Sequence, residues 1–138
     1  MPALTTTILR KQLEAGETDP LYMLVGADDL EKSAVASEFA EMVEEDLRAF
    51  NVERVYGGET KVDELIDAAR TLPMMAPRRI IVIAEAEKLL MPKRESKASE
   101  AEQERLEAFI KDPPRHATIV FVCGLIDKRR RVIQLLLK

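Results

Sequence analysis

Apolar positions along this chain recur in two periods, and glycine or proline punctuates the changes between them. Leu4, Ile8, Leu9 and Leu13 fall at helical spacing and Gly16 closes that segment. Leu21-Tyr22-Met23-Leu24-Val25 is a continuous apolar run ended by Gly26, the pattern of a strand buried on both faces. Asp28 or Asp29 suits the cap of a helix that places Val35, Phe39, Met42 and Val43 on one side and runs to about Ala49. Residues 51–56, with Val52 and Val55 ahead of Gly57-Gly58, predict a second strand and a turn. Thr60-Lys61-Val62-Asp63 fits a capping box before a helix whose apolar face is Leu65, Ile66 and Ala69. Pro73 and Pro77 bracket the end of that helix, and Ile80-Ile81-Val82-Ile83 is the clearest strand. The polar stretch 88–100 predicts a loop. Leu106, Phe109 and Ile110 anchor a further helix, stopped by Pro113-Pro114. Residues 117–122 predict a fourth strand closed by Gly124, and Asp127 caps a last helix still running at Lys138.

Strands at 21–25, 52–56, 80–83 and 118–122 thus alternate with helices and are apolar on both faces. That pattern implies an α/β fold, a parallel sheet with helices on both sides. The 138 residues suffice for one domain, and the unfinished last helix suggests a segment of a longer protein. No apolar run approaches the roughly 20 residues that span a bilayer. The N-terminus lacks the basic start and apolar middle of a signal peptide, so the expected compartment is the cytoplasm. One cysteine, Cys123, excludes an internal disulfide, and with the single His116 it makes no closed zinc site. His116 follows the prolines and reads as a surface residue, Cys123 as a small buried one. The net charge of −4 argues against a general nucleic-acid coat. Acidic residues gather at 38–46 and 95–107, basic ones at Arg78-Arg79 and Lys128-Arg129-Arg130-Arg131.

The turn after the first strand, Gly26-Ala27-Asp28-Asp29-Leu30-Glu31-Lys32-Ser33, partly matches a phosphate-binding loop. Gly26, Lys32 and Ser33 are in register. Glu31 stands in place of the second glycine, and Asp28 and Asp29 sit where backbone N–H groups would face phosphates. Each carboxylate there would repel a triphosphate by about 1 kcal/mol or more. The plainer reading is an acidic helix start favoured by the helix dipole. The third strand leads into Ala84-Glu85-Ala86-Glu87-Lys88-Leu89, similar to the Walker B segment of AAA+ clamp-loader ATPases, with Ala84 in place of the magnesium-holding aspartate. Glu85 persists, but a base without a positioned metal has little to act on. At the end of the fourth strand, Val122-Cys123-Gly124-Leu125 offers no polar sensor side chain. The three losses fall in order along one pattern and predict an AAA+-like fold without ATP hydrolysis or a bound cofactor.

The chain resembles the N-terminal domain of the bacterial DNA polymerase III delta-subunit family. The stretches that carry the likeness run from Pro20 to Gly26, Asn51-Val52-Glu53-Arg54, Asp63 to Met74, Pro77 to Ile83, Ala86-Glu87-Lys88-Leu89 and Asp127-Lys128-Arg129-Arg130. The resemblance implies a clamp-loader subunit without ATPase activity that opens the sliding clamp (the beta subunit) beside gamma or tau and delta prime. It implies a fifth strand, a lid and a collar beyond residue 138. It also places the subunit in a DNA polymerase holoenzyme, whose chemistry is nucleotidyl transfer. By position, the family's clamp-gripping apolar pair falls on Met74 and Met75, with Leu72 beside it. Met75 stands where the family often has an aromatic residue. The residues themselves suit the role, since methionine is adaptable and the flanking prolines force a turn. Folded inward, the same methionines would be ordinary core.

The basic run 128–131 could meet DNA phosphates inside a loader, or form a solvated face or a subunit contact. Three functions stay open on the residues alone: a clamp-opening module, an ATPase or GTPase with an unusual loop, and a scaffold subunit without clamp contact. No membrane partner is expected.

Overall fold

The Thr5 hydroxyl accepts the Ile8 N–H at 3.2 Å and so caps the first helix, α1 (Thr6–Glu14), which Gly16 ends at a φ of 73°. From there the computed structural model, which describes residues 5–92 and 97–137, follows a regular alternation. Leu4, Lys138 and residues 93–96 of the expected loop lie outside the described residues. β1 (Leu21–Leu24) leads into α2 (Asp29–Ala40), and α3 (Arg48–Asn51) into β2 (Val52–Tyr56). α4 (Val62–Arg70) precedes β3 (Arg79–Ala84), and α5 (Glu87–Leu90) and α6 (Lys97–Lys111) precede β4 (Ala117–Val122). α7 (Arg131–Leu137) closes the described chain. The four strands are parallel in the order β1-β4-β3-β2, the order of the AAA+ fold without its fifth strand.

Alternation along the strands divides the core into two layers. Leu21, Ile81, Ile83, Ile119 and Phe121 face α4, α6 and α7. Tyr22, Ile80, Val82 and Val120 face α1 and α2, where Tyr22 and Phe39 meet with ring centroids 4.7 Å apart. Helices on both faces leave β4 and β3 almost wholly buried, as their uninterrupted apolar sequence requires.

Several boundaries depart from the sequence expectation. α2 stops at Ala40 rather than near Ala49, and a short 3-10 turn (Glu45–Leu47) and α3 take up the remainder. The capping box expected of Thr60 and Asp63 does not form at α4, and half of one forms a residue later. The Glu64 carboxylate accepts the Lys61 N–H at 3.4 Å, but Lys61 occupies the cap and offers no acceptor, and the Thr60 hydroxyl donates backwards to the Tyr56 carbonyl. The polar stretch 88–100 holds most of α5 and the start of α6 instead of a plain loop. Its Lys, Ala and Glu residues are strong helix formers even without an apolar stripe. Asp127 caps a turn before α7, accepting the Arg129 N–H at 3.0 Å.

Candidate functional site

In a parallel sheet all strand ends of one kind lie at one edge, which separates the two candidate sites. The residues compared with a phosphate loop follow β1, β3 and β4 at the C-terminal edge. The Leu72–Met75 segment precedes β3 at the N-terminal edge.

At the C-terminal edge, Asp28 is the N-cap of α2 and its carboxylate accepts the Glu31 N–H at 3.0 Å. The acidic residues therefore complete a helix start. Glu31 is exposed and accepts the Thr6 hydroxyl at 3.3 Å, and Ser33 is exposed. Lys32 is buried. Its ammonium donates to the Cys123 carbonyl at 2.7 Å and pairs with Asp29 at 3.2 Å. Gly26 has a φ of 145°, in the range that favours glycine. Ala84 ends β3 with no side-chain oxygen. Glu85 turns left-handed, with φ 51°, and its exposed carboxylate pairs with Lys88 at 3.1 Å. Glu87, one turn on, accepts the Gly124 N–H at 2.9 Å. Burial pushes the Cys123 thiol up to about 12, with Glu87 adding to the shift and Lys32 opposing it. The fold thus brings Gly26, Lys32 and Cys123-Gly124 together, with Lys32 already fastened to protein.

At the N-terminal edge, α4 ends where its last carbonyls find side-chain partners. The Thr71 hydroxyl donates to Asp67, Arg79 Nε to Ala68 at 2.9 Å, and His116 Nε2 lies 2.9 Å from the Ala69 carbonyl. His116 is therefore a half-buried cap and not the free surface residue its position suggested. Arg79 also donates to the Phe50 carbonyl at 3.1 Å and to Glu53 at 2.9 Å, tying α4 to the start of β2. Beyond these caps the chain bends outward. Leu72, Met74 and Met75 are 73, 56 and 86% exposed, and Met75 is left-handed with φ 59°. Phe50, at the same edge, is exposed too. Asn51, fully buried, accepts the Met74 N–H at 2.6 Å and donates to the Met74 carbonyl at 2.8 Å and the Leu47 carbonyl at 2.9 Å. Asn51 stands in one of the stretches that carry the family likeness, but its contact could not be read there, because its partner lies 23 positions away.

The basic run is partly neutralised. Arg129 pairs with Asp127 at 3.0 Å, which holds that carboxyl below its usual range, and Arg131 pairs with Glu107 at 3.3 Å. Lys128 is exposed and Arg130 is half-buried. No helix among the described residues is long and apolar enough to cross a membrane.

The chain is similar to known proteins. The family described as DNA polymerase III, delta subunit, matches residues 18–138. The DNA polymerase III subunit delta of Bacillus subtilis (strain 168) is 26% identical over 131 residues, covering 93% of this chain and 38% of that protein. The chain therefore spans well under half the length of that relative. The solved Bacillus subtilis DNA clamp loader delta protein superposes with a TM-score of 0.81 at 24% identity, over 97% of this chain and 40% of that one. A DNA polymerase III gamma subunit-related protein of Thermotoga maritima gives a TM-score of 0.60 at 16% identity, over 93% and 42% of the two chains. At such identities the two structures establish a common fold.

Proposed function

The chain belongs to the DNA polymerase III delta subunit family, and from that membership we propose that it grips a DNA polymerase sliding clamp through Leu72, Met74 and Met75 without hydrolysing ATP. The observation that carries this reading is the tip itself. Three neighbouring apolar side chains stand more than half exposed on one bend whose backbone is held from behind. A water-soluble fold has little reason to hold such residues out unless a partner covers them. Methionine suits a shallow apolar pocket, and each buried side chain contributes about 1.5–3 kcal/mol. Two such residues reach the scale of a binding hot spot.

The opposite edge supports the second half of the proposal, because its residues do not fit a magnesium nucleotide. Lys32 is committed to the Cys123 carbonyl, Glu31 fills a glycine position and Ala84 cannot ligate a metal. Other loader subunits, and DNA reached through the basic run, belong to the same proposal, which places the protein in the cytoplasm.

The test is a clamp pull-down with the double variant Met74→Ala, Met75→Ala. Binding should weaken at least about tenfold, the equivalent of 1.4 kcal/mol. The thermal midpoint should hardly move, because trimming exposed side chains leaves no cavity. A variant that melts several degrees lower and still binds the clamp would place the methionines in the core and the site elsewhere.

A further inference from the structure

Asn51 holds the tip by a contact that few side chains can make. The backbone of a single residue, Met74, offers one donor and one acceptor, and a carboxamide matches both at once. The amide orientation follows from chemistry, since the Met74 N–H requires the oxygen and the Met74 carbonyl requires the NH2. The second amide hydrogen goes to the Leu47 carbonyl, so Asn51 is satisfied although wholly buried. Glutamine, one methylene longer, would not reach the same atoms from this backbone without displacing the bend. The residue after the gripped one, Met75, is left-handed, an arrangement that a β-carbon disfavours and that its surroundings must therefore impose.

We propose that Asn51 is the positioning residue of the clamp grip: it pre-forms the bend that presents Met74 and Met75, without itself touching the partner. This rests on the proposal that those methionines bind the clamp. Without Asn51 the bend samples other conformers, and the partner has to select the competent one, which weakens binding by the fraction lost.

The experiment measures clamp affinity and amide exchange for four variants of the whole chain: Asn51→Ala, Asn51→Asp, Met74→Ala with Met75→Ala, and all three alanines together. Val35→Ala, a core truncation on the buried face of α2, controls for lost stability. Asn51→Ala should weaken clamp binding about tenfold, the scale of one or two hydrogen bonds, and should raise exchange at the Met74 amide. Asn51→Asp keeps the acceptor but sets a buried carboxylate oxygen against the Met74 and Leu47 carbonyls, so it should weaken binding at least as much as Asn51→Ala. In the triple variant the Asn51 change should add nothing, and Val35→Ala should bind as wild type does. If the methionine pair weakens binding and neither Asn51 variant does, the positioning role is refuted while the clamp grip survives. If the methionine pair binds normally, the clamp grip itself is refuted, and the positioning role with it.

Discussion

Lys32 stands where a phosphate-binding loop places its lysine, yet its ammonium is spent on the Cys123 carbonyl. This residue was legible in part: register marked the lysine and composition marked Glu31 and Ala84 as losses, but only the fold shows what the lysine does instead. Lys32→Met, which keeps the apolar stem and removes the donor, should cost roughly 1–3 kcal/mol by stranding that carbonyl. The thermal midpoint should then fall by several degrees, while added Mg-ATP should shift neither wild type nor variant. A nucleotide-dependent rise in the wild type alone would revive the nucleotide site. Cys123 beside it has a thiol raised to about 12 by burial. An unfolded thiol loses its proton near pH 8.5. Its contribution to stability is thus complete below that value and is lost as pH rises towards the folded one. A thiol reagent at pH 8 should label Cys123 only after denaturant is added, and rapid labelling of the native protein would contradict the burial. The contacts of Asn51 and His116 escaped the sequence because each acts through a backbone group distant along the chain, on Met74 and Ala69.

Among the elements, the four strands were readable to within a residue at each end. For β1, β3 and β4 a run apolar on both faces has no alternative placement in a domain of this size. β2 departs from that expectation: it is an edge strand with Glu53 and Arg54 inside it and no buried residue, and Val52, Val55 and the Gly57-Gly58 turn marked it instead. The helices were less legible. The pattern through Met42 and Val43 continued the period of α2, but the helix stops at Ala40 and the two residues reach the core from a turn. α6 begins at Lys97 with polar helix formers and shows its apolar face only at Leu106, Phe109 and Ile110. The turn after β2 was marked by Gly57-Gly58, and the fold gives the reason for the first of them. A β-carbon at Gly57 would stand 2.4 Å from the Glu85 carbonyl oxygen, a backbone atom that cannot yield cheaply. Gly57→Ala should therefore destabilise by about 1–3 kcal/mol, the range of overpacking elsewhere. Urea denaturation would read it as a lower midpoint at unchanged slope. An unchanged midpoint would show that the two turns can separate.

At the scale of the molecule, the parallel sheet places its two candidate sites at opposite edges. At the C-terminal edge Lys32 donates to the Cys123 carbonyl and the Gly124 N–H donates to Glu87. The N-terminal edge carries an apolar tip fastened from beneath by Asn51, with Arg79 and His116 capping α4 beside it. The sequence alone located both edges through its strand–helix order, but the exposure of the tip depended on where α4 ends and on contacts from β3 and β4. The most direct test is amide hydrogen exchange of the protein with and without purified sliding clamp. New protection should appear at residues 72–76 and their neighbours at the N-terminal edge, with residues 26–33 and 84–87 unchanged. Protection centred on the C-terminal edge, with the tip exchanging as before, would contradict the account.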